Sequence, residues 1–146
     1  MEIRKADFST VKPAVEEILN RQQSELGIEE QTNYVSFGLH QGERVVGGIL
    51  AKTSLETAHI ALLAVEKEFR GQDWGSKLLQ QAEQELRRLG VKSITLTTRS
   101  YQAKGFYEKQ GYTLFGELGD VPVTGVTKYF FVKRFESFEA QNQTKG

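Results

Sequence analysis

The spacing of apolar residues changes period abruptly in the middle of this chain, and that change limits its fold more than any other feature. Ile60-Ala61-Leu62-Leu63-Ala64-Val65 is a short continuous apolar run, suited to a buried strand. From Leu78 onward apolar residues recur three or four apart, at Leu78, Leu79, Ala82, Leu86 and Leu89, which is one face of a helix. Between the two lies Phe69-Arg70-Gly71-Gln72-Asp73-Trp74-Gly75-Ser76-Lys77, a turn rich in small and polar residues. A strand that enters such a turn and leaves as a helix uncovers backbone N–H groups at the positive end of the helix dipole. Phosphate oxygens bind there without many basic side chains. Function is therefore expected to begin with an anion held at the helix start.

The rest of the chain supplies partners for that unit. Met1 to Lys5 is predicted as a short first strand. Ser9 or Thr10 caps a helix with an inner stripe of Val11, Val15, Ile18 and Leu19, and Pro13 sits in its first turn, where a missing N–H is harmless. A polar stretch through Gln23, Glu29 and Asn33 leaves a second, irregular helix open. Tyr34 to Gln41 and Arg44 to Thr53 flank Gln41-Gly42-Glu43, a hairpin signal, and Ala58 to Val65 is the next strand. Beyond the leucine-striped helix, Gly90 suits a helix stop and Val91 to Thr98 alternates as a strand. A short helix over Gln102 to Lys109 is ended by Gly111, and two strands follow at Tyr112 to Leu118 and Val126 to Phe135. Hairpin-linked strands feeding a strand–helix–strand unit favour an α/β (α+β) fold with a mixed sheet. Residues 1–135 are expected to form a single domain, followed by a polar tail over 136–146.

Composition excludes several function classes. With 146 residues the chain can bury a real core. Lys+Arg and Asp+Glu both number 19, so charge makes no case for nucleic acid or an anionic membrane. There is no cysteine, which removes disulfides, thiolate metal sites and a cysteine nucleophile together. With two histidines, an imidazole-built metal site is not expected either. No apolar run approaches the roughly 20 residues that span a bilayer, and the charged N-terminus lacks a signal-peptide core. A soluble, cytoplasmic protein is the expectation.

Two segments carry a family resemblance. Arg70-Gly71-Gln72-Asp73-Trp74-Gly75 is similar to the signature Gln/Arg, two free positions, Gly, one free position, Gly/Ala, with Leu63-Ala64-Val65 upstream and Lys77-Leu78-Leu79 in the following helix. Downstream, Ala103-Lys104-Gly105-Phe106-Tyr107-Glu108-Lys109-Gln110-Gly111-Tyr112 is similar to a short helix with a Tyr near its end, then Gly and an aromatic residue. Together they make the chain resemble the GCN5-related N-acetyltransferases (GNAT) over nearly all of its length.

That resemblance implies a mixed, mostly antiparallel central sheet with helices on both faces, splayed between its fourth and fifth strands. Acetyl-CoA would be the cosubstrate, with no metal. Its pantetheine arm would pair with the backbone of Leu63, Ala64 and Val65, an instance of strand addition. Its diphosphate would rest on N–H groups of Gly71, Gln72, Asp73, Trp74, Gly75 and Ser76, close to Arg70. Asp73 departs from the pattern, because it stands where the family usually has its first Gly. A carboxylate ~6 Å from a phosphate charge costs about 3 kcal/mol at an effective dielectric near 20, less with solvent screening, so weaker CoA binding is expected than with Gly.

Acetyl transfer from a thioester to an amine needs a neutral amine, a stabilised oxyanion and a proton or dipole for the departing thiolate. The resemblance implies direct attack by the amine, with Tyr107 donating to the sulfur; a phenol keeps its proton at neutral pH. His59, six residues before Val65, falls where some relatives carry a catalytic Glu, and an imidazole could take the ammonium proton. Water and backbone carbonyls are the alternative base, and His40 has no such role. Ser100 falls where the family often has a cofactor-contacting Asn, although it could equally cap the next helix. Lys77 and Lys104 are either solvated or near the 3′-phosphate. Trp74 either covers the diphosphate turn or anchors the helix start. The acceptor is expected to be a small-molecule amine, with a protein lysine or N-terminus as runner-up and a CoA-binding module without catalysis as a third reading. The resemblance places its pocket over roughly residues 19–34 and 119–127. Tyr129, Phe130 and Phe131 are core residues or, alternatively, a homodimer contact.

Overall fold

A computed structural model describes residues 1–102 and 104–135. The tail expected over 136–146 lies outside the described residues. Met1–Gln31 forms one compact unit and the chain from Thr32 onward a second.

The first unit is one helix, α1 (Phe8–Glu25), preceded by residues without regular structure. The strand predicted at Met1 to Lys5 is absent; so short a segment, with Glu2, Arg4 and Lys5 in it, has little intrinsic strand preference without a paired neighbour. The helix begins earlier than Ser9, at an Asp7 cap whose carbonyl accepts from the N–H groups of Thr10 and Val11, both 3.0 Å. Pro13 therefore lies beyond the first turn. Val11, Val15, Ile18 and Leu19 are each 42–50% exposed, so the stripe is not buried. The chain stops the helix with a Schellman turn: Ile28 N–H reaches Gln23 O and Gly27 N–H reaches Ser24 O, with Gly27 at φ 75°. No second helix follows.

In the second unit a six-stranded sheet runs β1 (Thr32–Gln41), β2 (Arg44–Ser54), β3 (Thr57–Val65), β4 (Ser93–Arg99), β6 (Thr127–Arg134), β5 (Thr113–Gly119), in that spatial order. The last strand thus inserts between β4 and β5. Every pair is antiparallel except β3 with β4. Among the described residues, two helices complete the unit, α2 (Trp74–Arg88) and α3 (Lys104–Lys109), with a 3-10 turn at Lys67–Phe69 before α2. No helix among the described residues is long and apolar enough to cross a membrane.

α2 sets Leu78, Leu79, Ala82 and Leu86 against Ile49, Ala51, Ala58 and Ile60 of β2 and β3, and against Ile94, Leu96 and Phe131. Removing a fully buried leucine such as Leu79 from a core of this kind costs about 2–5 kcal/mol. Leu89 is exposed because it is the C-cap, and Gly90 behind it closes a second Schellman turn. Among the apolar neighbours sits one buried acid on α2. Glu83 accepts from Tyr112 Oη at 3.0 Å and from Lys133 Nζ at 2.9 Å, so its charge is matched where it is desolvated.

Candidate active site

β3 and β4 pair only over Thr57↔Ser93, Ala58↔Ile94 and His59↔Thr95, and then diverge. Because the strand predicted at residues 1–5 does not form, this splay, expected between the fourth and fifth strands, falls between the third and fourth. The separation opens a cleft of about 1150 Å³. On one side it is lined by Ile60 to Val65 and on the other by Leu96, Thr97 and Thr98. Phe69 to Ser76 crosses its mouth, and Tyr101, Gln102, Phe106 and Tyr107 close it.

The edge of β3 is open along the cleft. β2 takes one side of it, as Glu66 N–H to Val46 O (2.8 Å) marks. In an antiparallel pair alternate residues turn their amides outward, so Leu63 and Val65 face away from β2. The register shifts between Leu50 and Ala51, leaving Ala61 without a partner as a bulge in β3, which bends the strand just where it leaves β4.

At the mouth, Asp73 is the N-cap of α2 and takes a left-handed conformation, φ 70° and ψ 13°. Aspartate tolerates that region better than most residues, which is how it can occupy a position usually held by Gly. Its carboxylate makes no capping bond. The first bond of the helix runs from Lys77 N–H to Asp73 O (3.1 Å), which leaves the N–H groups of Asp73, Trp74, Gly75 and Ser76 without an acceptor among the described residues. Among the described residues, Arg70 and Asp73 are the only charged side chains lining the cleft, so their charges offset and the main chain is left as the anion donor. Arg70 Nε donates to Val65 O at 3.0 Å. A Cβ on Gly75 would meet the Phe106 ring at 3.6 Å, an ordinary contact, so the protein itself admits Gly or Ala there.

Tyr107 lies in the cleft wall, its ring held edge-on by Phe106 (5.0 Å) and Tyr112 (6.0 Å) and tilted on Phe131 (6.1 Å). Burial pushes its pKa above the ordinary phenol value, so it stays protonated through the neutral range. His59 does not line the cleft. It stands at the last β3–β4 pair, with Nδ1 2.9 Å from Thr95 Oγ1, and its pKa is lowered by partial burial and then by the charges of Lys128 and Lys52. Ser100 is outside the lining as well: its Oγ accepts from Thr127 N–H at 3.1 Å and its N–H donates to Thr127 O, a tie between β4 and β6 rather than a helix cap. Leu63, Ala64, Val65, Arg70 to Ser76 and Tyr107 thus come together around one cleft, while His59 and Ser100 stand at or beyond its ends. Trp74 is in the lining; Lys77 is not, and stacks on the Trp74 ring at 4.5 Å. Lys104 lies 4.7 Å from the Tyr129 ring and 3.9 Å from Glu108.

Sequence reasoning missed Leu96, Thr97, Thr98, Tyr101 and Gln102 as lining residues. The signal was present at Gln102, whose Oε1 accepts from Arg99 N–H (2.9 Å) and Thr98 Oγ (3.2 Å) and so shapes the end of β4.

The model of the Acetyltransferase (GNAT) family matches residues 1–112, across both signature-bearing elements around the cleft and up to Tyr112. The chain belongs to the GNAT family. As a GNAT member it is an N-acetyltransferase, and its relatives bear related names. A blasticidin-S acetyltransferase of Streptomyces morookaense is 31% identical over 101 residues, covering 68% of this chain and 74% of that protein. N-alpha-acetyltransferase 30 of Schizosaccharomyces pombe is 27% identical over 104 residues, 66% of this chain and 69% of the relative. The crystal structure of an acetyltransferase from Bacillus cereus is similar with a TM-score of 0.83 at 27% identity, over 92% of this chain and 98% of that one. In this GNAT chain the open β3 edge, the free amides at α2 and the roomy cleft fit a thioester cosubstrate with an amide arm and a diphosphate.

Proposed function

We propose that this N-acetyltransferase binds acetyl-CoA in the β3–β4 cleft and passes the acetyl group to a primary amine by direct attack in a ternary complex, with a small molecule as acceptor. The single observation that carries the binding reading is the set of unpaired N–H groups at Asp73 to Ser76, facing the cleft at the positive end of α2. Leu63 and Val65 present strand-edge groups to the amide arm. Acetyl-CoA brings an activated thioester carbonyl; everything else falls to the protein's own groups.

Tyr107 holds the proton for the departing sulfur. Its packing on Phe106, Tyr112 and Phe131 fixes the ring, and its raised pKa keeps the hydroxyl a donor throughout neutral pH. His59, which stands outside the cleft lining, relieves the acceptor ammonium of its proton through water. In the tautomer whose Nδ1–H donates to Thr95 Oγ1, Nε2 carries the lone pair, and the lowered pKa keeps the ring neutral and able to accept.

A small acceptor is supported by the blasticidin-S acetyltransferase relative. The N-alpha-acetyltransferase relative supports a second reading, a protein N-terminus as acceptor. Thiol release from acetyl-CoA, followed across small amines and free peptide N-termini after CoA binding has been measured, tests both. Turnover with small amines supports the first reading; turnover confined to peptides replaces it with the second. Tight CoA binding with no turnover on any amine would leave a binding module and defeat the proposal.

A further inference from the structure

Gln110 is the C-cap residue of α3 and lies outside the cleft lining, yet it is tied to both working parts of the site. Its backbone N–H bonds back to Tyr107 O and Phe106 O, both 3.1 Å, so it closes the helix that carries Tyr107. Its carbonyl accepts from Lys133 Nζ at 2.9 Å, and Lys133 is anchored by buried Glu83. Its side-chain Nε2 donates to Ser76 Oγ, in the first turn of α2.

From this geometry we infer that Gln110 is a positioning residue for cosubstrate binding, acting through Ser76. A serine hydroxyl has one hydrogen to give and two lone pairs to receive with. When Gln110 fills a lone pair, the hydrogen of Ser76 is left to point at an anion beside the free N–H groups of the same turn. Ser76 then adds a side-chain donor to the main-chain donors. The same glutamine couples that donor to the end of the Tyr107 helix, through bonds within one residue. Lys133, held by Glu83, sets the Gln110 backbone so that the amide reaches across.

This rests on the acetyl-CoA reading of the cleft, and one experiment separates the two. Trp74 is the sole tryptophan and lines the cleft, so its fluorescence reports arrival of CoA at this place. CoA titrations would be run on wild type, Ser76→Ala, Gln110→Met, Gln110→Glu and the double variant Ser76→Ala/Gln110→Met, with steady-state kinetics alongside. Gln110→Met keeps length without the donor and is expected to weaken CoA about three- to five-fold, with kcat changed less than two-fold. Gln110→Glu accepts the serine hydrogen and turns it from the anion, so its loss is expected to exceed that of the Met variant. In the double variant the loss should match that of Ser76→Ala alone, because one interaction has been removed twice. Losses that simply add, or a Glu variant binding as well as wild type, overturn the role of Gln110 while leaving the cleft reading intact. A wild-type titration without any Trp74 response overturns the cleft reading, and the Gln110 proposal falls with it.

Discussion

Arg70 reaches back across its own turn to place Nε 3.0 Å from the carbonyl oxygen of Val65. The bond ties the end of β3 to the loop that starts α2, the two elements that meet at the cleft mouth. It also shows which way that end of β3 points, since a carbonyl taken by Arg70 is not turned to β2. The residue at the head of the signature thus fixes the relation between strand edge and amide cradle.

Replacing Arg70 is therefore expected to act through geometry. Arg70→Met should weaken CoA binding by about 1 kcal/mol, the worth of a typical hydrogen bond, or roughly five-fold. Arg70→Lys keeps the charge without the planar donor and should not restore affinity. Calorimetric titration of CoA checks both, and full recovery with Lys would show that charge alone matters.

Tyr107→Phe removes one oxygen and keeps the ring against Phe106, Tyr112 and Phe131. Turnover is expected to fall about 100-fold, the scale of a lost general acid, with CoA affinity within two-fold of wild type. Thermal unfolding of the variant should be near that of wild type. A large drop in stability with little loss of kcat would make the tyrosine a packing residue.

At the α2 cap the expected change runs the other way. Asp73→Gly removes a carboxylate from the cleft and suits the left-handed backbone, φ 70°, better. CoA should bind about five-fold tighter, near 1 kcal/mol once solvent screening has reduced the Coulomb cost. Equal affinities would mean that the carboxylate points out to solvent.

For His59 the sign of the pH effect follows from its lowered pKa, caused first by burial and then by Lys128 and Lys52. The unfolded chain takes up a proton near the ordinary value of 6.5, before the folded protein does. Stability is thus expected to decline as pH drops below about 6.5 and to level off beneath the folded-state value. His59→Gln should flatten that decline in thermal melts from pH 7.5 to 5. If His59 is also the base, the same variant removes an acid limb of kcat/KM, measured with the acceptor saturating in its neutral form. A limb that survives assigns the step to water.

What was legible in the sequence was local. The switch of apolar period from β3 to α2, the Gly90 and Gly111 helix stops and the hairpin at Gly42 each depend on residues a few positions apart, and each stands close to where the pattern set it. The opening of the cleft was legible only through the family resemblance, because nothing near Ile60 says that its pairing with β4 will end. The insertion of β6 between β4 and β5 is equally non-local, so Leu96 to Thr98 could not be assigned to the cleft from spacing. Glu83 could have been caught. It falls on the same helical face as Leu79 and Leu86, where an acid needs partners, and Tyr112 and Lys133 are those partners. At residues 1–5 the predicted strand does not form, because so short a segment makes no strand without a paired neighbour.

Hydrogen exchange of individual amides, with and without saturating CoA, reads the very main-chain groups proposed to hold the cosubstrate. Slowed exchange is expected at Asp73 to Ser76 and at Leu63 and Val65, with little change at the Schellman turn of Gly27. Binding that stabilises the protein yet leaves all of those amides exchanging as before would contradict main-chain holding of the cosubstrate.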